Sequence, residues 1–122
     1  DLLEVMLAVI DGRLDQVQLE WDTRPAFSVV ATSRGYPGKY PKGLEITGVA
    51  DADAMPNVKV FHSGTRQEGD KLLTDGGRVL SVTALGDDIP SAAKRAYDAI
   101  AKIHFDGMHY RRDIGHHVLR RR

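Results

Sequence analysis

Residues 27–32 alternate apolar Phe27, Val29 and Ala31 with Ser28, Val30 and Thr32, a period of two that predicts a strand with one buried face. The same period runs through 78–85, where Leu80, Val82 and Ala84 face one way and Ser81 and Thr83 the other. Parity then puts Arg78 on the Leu80 side, at the first position of that strand. Residues 71–74 read as the partner side of a hairpin with it, turning at Asp75-Gly76-Gly77. Shorter strands are expected at 44–48 and 58–62, the second with Val58 and Val60 on one face, and a turn or helical corner at 51–55. A period near 3.6 appears after Asp88, which suits an N-cap, with Pro90 tolerated in the first turn. Ala93, Ala96, Tyr97, Ile100 and Ile103 form the inward stripe of a helix expected to end near Gly107.

The first residues follow a different pattern. Leu2, Leu3, Val5, Met6, Leu7, Val9 and Ile10 surround almost the whole circumference of a helix ending at Gly12, and helices apolar all round are buried ones. Such a helix at the start of the chain suggests a cut end whose packing surface belongs to other sequence; the alternative is a terminal helix within its own core. Trp21 is expected to anchor the joint that follows. Residues 33–43, SRGYPGKYPKG, hold three glycines and two prolines and predict an ordered loop. Short strands followed by one amphipathic helix, without strand–helix alternation, predict an α+β domain: a small, mostly antiparallel sheet with a flanking helix.

At 122 residues the chain is one domain in size, and with no cysteine it has neither a disulfide framework nor a thiol nucleophile. Lys and Arg number 17 against 17 Asp and Glu, so no global field attracts nucleic acid or an anionic membrane, and any anion site must be local. The longest apolar run, 5–10, is too short to span a bilayer. A cytoplasmic protein is expected, with no nucleic acid or membrane partner.

The residues richest in chemistry are Thr74-Asp75-Gly76-Gly77-Arg78. Glycines accept positive φ and let backbone N–H groups converge on an anion beside a guanidinium, which suits a phosphate or carboxylate; the plain alternative is a hairpin corner with a solvated Arg78. Lys71 is a second cation on the same hairpin. No GxGxxG, no phosphate loop and no Gly-x-Ser-x-Gly elbow occurs. His104, His109, His116 and His117 lack a His-Glu-x-x-His or cysteine partner, and Arg111 and Arg112 would repel a cation, so no metal site is expected. Arg111, Arg112 and Arg120-Arg121-Arg122 lack interleaved aromatics and read as a solvated basic end.

Six blocks in order, EWD at 20–22, GYPGKY at 35–40, KGLEITG at 42–48, VFHSGT at 60–65, GGRVLSVTALG at 76–86 and IHFDGMHYRRDIG at 103–115, resemble the C-terminal part of the phosphoribosylamine–glycine ligase family. These are the glycinamide ribonucleotide synthetases of purine biosynthesis, within the ATP-grasp ligases. The chain departs from the family pattern at Arg34, where glycine is usual, at Ser63 for alanine and at Asp75 for asparagine.

The resemblance implies that residues 1–18 are the terminal helix of an ATP-grasp core and 19–122 a C-terminal domain forming one wall of the substrate cleft. It implies a reaction in which ATP and glycine give a glycyl phosphate that the amine of phosphoribosylamine attacks. ATP and magnesium (or manganese) would be held mainly by the upstream core, through a motif like NxRxGDPE that these residues lack. The substrate-binding residues carried over are Arg78, Gly76, Gly77 and Lys71 for the phosphate and Gly35, Tyr36, Pro37 and Gly38 for the opposite rim, with Tyr36 against the ribose and His62 at the margin. No residue of this chain is assigned as acid, base or nucleophile, and the piece alone is expected to be inactive. The other class of reading is a self-standing interaction module using the apolar first helix.

Overall fold

The computed structural model describes residues 1–119; the arginines at 120–122 lie outside the described residues. The elements in chain order are α1 (Leu2–Ile10), a 3₁₀ turn at Leu14–Gln16, β1 (Ala26–Thr32), α2 (Val49–Asp53), β2 (Val58–His62), β3 (Thr65–Glu68), β4 (Lys71–Thr74), β5 (Arg78–Leu85), α3 (Ile89–Ile100) and α4 (His116–Leu119). Among the described residues, no helix is long and apolar enough to cross a membrane.

Strands β1, β5 and β2 form one antiparallel sheet with β5 in the centre. Val29 and Ala31 of β1, Leu80, Val82 and Ala84 of β5, and Val60 of β2 are buried on its inner face. Against them lies α3, whose buried stripe is Ala92, Ala93, Ala96, Ala99 and Ile100. Alanines keep the helix close to the sheet, and Ile100, Ile103 and Phe105 fill the remaining volume. Fully buried side chains such as Leu80, Ile100 and Phe105 each contribute about 1.5–3 kcal/mol. Asp88 starts α3 with a reciprocal cap: its carboxylate accepts from the Ser91 amide at 2.7 Å, and the Ser91 hydroxyl accepts from the Asp88 amide at 3.2 Å.

Several expectations are corrected. Residues 71–74 do not pair with β5. They form a separate two-stranded sheet with β3, closed by Gly69-Asp70, with Gly69 at φ +58°. A two-residue loop closes that hairpin tightly, while 75–77 carry the chain across from one sheet to the other. Residues 44–48 make no continuous strand, because Glu45 bridges to Leu73 and Thr47 to His104, one on each side. The helix ends at Ile100 rather than near Gly107, since Ile103 and Phe105 are buried on either side of exposed His104. That two-residue spacing belongs to an extended segment, which exchanges backbone hydrogen bonds with Thr47.

The joint is also different. Trp21 is 83 % exposed and does not anchor the joint among the described residues; the connector is instead tied by Asp22, which takes the Arg24 guanidinium at 2.7 Å. In α1 only Ala8 is buried, and Leu2, Leu3, Met6, Leu7, Val9 and Ile10 are exposed. Among the described residues the outer face of the main sheet likewise carries no helix: Ser28 and Val30 of β1 and Lys59 and Phe61 of β2 are exposed beside Ser81 and Thr83 of β5.

Candidate functional site

The bare sheet face becomes a site because of one irregularity. Ala31 pairs with Leu80 but Thr32 pairs with Arg78, so Val79 is an extra residue in β5. A bulge of this kind reverses the alternation beyond it. Val79 and Leu80 are both buried, and Arg78 leaves the Leu80 side for the outer face, in the company of Val30, Thr32 and Ser81. Simple parity therefore placed it on the wrong side. Among the described residues the Arg78 guanidinium has neither an ion-pair nor a hydrogen-bond partner, and the side chain is exposed.

The glycines before Arg78 serve close approach rather than positive φ, which neither adopts. A Cβ on Gly76 would lie 2.8 Å from the Gly64 Cα, where two chain segments cross, and one on Gly77 would lie 2.0 Å from Cδ2 of the Tyr36 ring. Their carbonyls are used: Gly77 accepts from the Ser33 amide at 2.8 Å and Gly76 from the Ser33 hydroxyl at 2.9 Å. Their amides donate to no protein acceptor among the described residues; Gly77, itself buried, borders the first groove described below together with Arg78, whereas Gly76 borders neither groove.

The loop 33–43 folds over this corner. Gly35 sits at φ +90° with a virtual Cβ 2.3 Å from the Lys39 carbonyl oxygen, and the Gly38 amide closes the turn on Gly35 at 2.7 Å. Pro37 follows a cis Tyr36–Pro37 bond. The turn lays the Tyr36 ring against Gly77, with Tyr40 beside it at 6.2 Å between centroids.

Two grooves open on the outer face. The first, about 450 Å³, is lined by Val30, Tyr36, Ser63, Gly64, Gly77, Arg78 and Ser81. A second, about 350 Å³, is bordered by His109, Tyr110, Arg111 and Ile114 together with Ser28, Val30, Thr32, Tyr36 and Arg78. Val30, Tyr36 and Arg78 belong to both, so the grooves adjoin as one trough-like surface with Arg78 on their shared border.

The family described as "Phosphoribosylglycinamide synthetase, C domain" matches residues 26–117, which hold the sheet, α3 and every residue of this trough. The chain belongs to that family. It is 50 % identical over 98 % of its length to the phosphoribosylamine–glycine ligase of Rhodopirellula baltica and 50 % identical over 99 % to that of Allochromatium vinosum, covering 28 % of each. The crystal structure of phosphoribosylamine–glycine ligase from Thermotoga maritima superposes with a TM-score of 0.70 at 33 % identity, over 90 % of this chain and 27 % of that one. The chain thus spans a little over a quarter of the length of these relatives.

Within this family domain not every expected residue reaches the trough. Lys71 lines neither groove; it pairs with Glu45 at 2.9 Å on the outer sheet of β3 and β4. His62 also stays outside, its Nδ1 3.0 Å from the Thr65 hydroxyl. Arg34 packs its side chain over Gly107 rather than into either groove. Asp75 takes Lys42 at 3.4 Å. Conversely, Ser63, Gly64 and Ser81 were overlooked, as were Thr32, His109 and Arg111. Thr32 and His109 exchange backbone hydrogen bonds across 77 residues of sequence, a contact without a local signal. Arg111, read as solvated, forms a two-pronged pair with Asp113 through Nε at 2.9 Å and Nη2 at 2.8 Å. That guanidinium holds the Asp113 carboxyl down to about 2. Arg112 lies over the Tyr110 ring at 5.4 Å.

No three His, Cys, Asp or Glu side chains come together to hold a metal ion among the described residues.

Proposed function

We propose that this chain is the C-terminal part of a phosphoribosylamine–glycine ligase, which joins glycine to 5-phosphoribosylamine with conversion of ATP to ADP and phosphate. In this reading residues 1–18 close an ATP-grasp core and 19–122 form one wall of the substrate cleft. The observation that carries the reading is the Arg78 guanidinium, without an ion-pair partner among the described residues, beside Gly77 in a groove on the outer sheet face. A phosphate monoester needs charge-assisted donors, and the guanidinium fork supplies them.

Tyr36 and Val30 border the same trough and suit the carbon face of a ribose. Gly35, Pro37 and Gly38 act through the turn that sets Tyr36 in place. ATP, glycine and the metal would be bound by the upstream core, and this wall would fix the phosphate so that the amine faces the activated glycine. The exposed apolar side chains of α1 supply the surface through which the two parts would pack. Cytoplasmic location goes with the purine-biosynthetic role.

The test is Arg78→Ala in the full-length ligase carrying this chain. Loss of one charge-assisted contact, about 1.5–3 kcal/mol, raises the KM for phosphoribosylamine by about 10- to 150-fold, with the KM for ATP unchanged. A phosphoribosylamine KM equal to that of the parent enzyme removes Arg78 from the site.

A further inference from the structure

Arg78 and Arg111 both line the second groove, yet they are electrostatically unlike. Arg78 has no carboxylate partner among the described residues, whereas Arg111 is clamped by both oxygens of Asp113. A guanidinium has five N–H donors. The clamp uses one on Nε and one on Nη2, so Nη1 and the second Nη2 hydrogen stay available while Asp113 cancels the charge. A phosphate placed at Arg111 would also meet the Asp113 carboxylate. A hydroxyl or other neutral acceptor would not, and it would gain an oriented donor.

The rest of the trough agrees with that gradient. The groove that both arginines line is walled also by Val30, Ile114 and Tyr36, apolar surfaces suited to the C–H face of a sugar. Its other borders are Ser28, Thr32, His109 and Tyr110, which carry polar groups and no carboxylate, with Thr32 paired to Arg78 on one side and bridged to His109 on the other. We infer that Arg111, held by Asp113, is a positioning residue for the hydroxyl-bearing end of the ligand, so that the trough takes a monophosphorylated sugar lengthwise with its phosphate at Arg78. This rests on the reading of Arg78 given above, and it adds selection against a second phosphate. Arg111 sets orientation; Asp113 sets the charge that the far end of the ligand carries.

The test is calorimetric binding to the full-length protein, with ADP in excess to fill the nucleotide site, using inorganic phosphate, ribose 5-phosphate and ribose 1,5-bisphosphate as probes. Arg111→Ala weakens ribose 5-phosphate by about tenfold and changes inorganic phosphate by less than about twofold, while Arg78→Ala weakens both. Asp113→Asn, which releases the charge of Arg111 without removing its fork, tightens the bisphosphate by about tenfold relative to ribose 5-phosphate. The pair is exposed on the surface, so both variants keep the fold, and equal thermal midpoints verify this. An Arg111→Ala protein with unchanged ribose 5-phosphate affinity, or with the same loss for inorganic phosphate, overturns the inference and leaves Arg78 standing. So does an Asp113→Asn protein that gains nothing for the bisphosphate. An Arg78→Ala protein that binds phosphate like the parent overturns the underlying reading instead.

Discussion

Replacing Gly77 by alanine probes the corner without touching a charge. The backbone there is not left-handed, so an alanine meets no φ penalty and the whole cost is steric. Its Cβ would fall 2.0 Å from Cδ2, 2.6 Å from Cε2 and 3.0 Å from Cγ of Tyr36. These are the near atoms of the ring, so no small tilt relieves the clash and the ring must leave the glycine. Tyr36 is 41 % exposed; a tyrosine of about 200 Å² then covers about 120 Å² of surface, which at about 25 cal/mol per Å² limits the loss to about 3 kcal/mol. Overpacking penalties of about 1–3 kcal/mol fall in the same range. Gly77→Ala should therefore lower the urea unfolding free energy by about 1–3 kcal/mol. Tyr36→Ala already removes the ring, so adding Gly77→Ala to it should cost less than about 0.5 kcal/mol. The assay is a double-mutant cycle by urea titration, with a coupling energy of at least about 1 kcal/mol expected. Equal cost of Gly77→Ala in both backgrounds would show that the ring and the glycine do not define each other's position. Because Tyr36 borders both grooves, the same substitution should also weaken phosphosugar binding.

Two further predictions concern stability. Gly48 sits at φ +78° with a virtual Cβ 1.9 Å from the Lys102 carbonyl oxygen, so Gly48→Ala meets both an αL penalty and a backbone clash. It should destabilise the chain by more than Gly77→Ala in the same urea titration, and a loss below about 1 kcal/mol would contradict this. Hydrogen bonds from the Arg24 side chain and amide hold Asp22 at about 2, and the Arg111 fork does the same for Asp113, both from an ordinary 3.8. With the folded pKa below the unfolded one, each pair's stabilisation is complete above about pH 4 and is lost as the pH falls through 3.8 towards about 2. Thermal midpoints measured across that window should fall less steeply for Asp22→Asn and Asp113→Asn than for the parent; an unchanged slope would show that these pairs add no pH-linked stability.

Much of the architecture was legible because local signals agreed. The alternation in β1 and β5 up to the bulge, the Asp88 cap and the burial of Ala93, Ala96 and Ile100 in α3 each follow from side-chain period and capping chemistry, whereas buried Ala92 and Ala99 were not among the expected inward positions. What sequence missed was non-local. Pairing of β4 with β3 was decided by a two-residue loop against a longer one, and the early stop of α3 by a backbone pairing of His104 with Thr47 across the chain. The candidate site shows the same division. Gly77, Arg78 and Tyr36 do line one groove, Gly76 lines neither, and the Gly35–Gly38 turn holds Tyr36 in place. Arg78, however, faces the trough only because one extra residue, Val79, reverses the alternation, and a bulge leaves no mark in the pattern that parity reads. Lys71 was placed beside Arg78 by sequence proximity, but crossing between two sheets takes it away to Glu45. Arg111, 33 residues after Arg78, had no local reason to be read as its neighbour.

The most direct test is a crystal structure of the full-length ligase carrying this chain with ribose 5-phosphate bound. Phosphate oxygens are expected about 3 Å from the Arg78 guanidinium and from the Gly77 amide, with the sugar between Val30 and Tyr36. A phosphate bound elsewhere, with Arg78 turned to a carboxylate or to solvent, would contradict this.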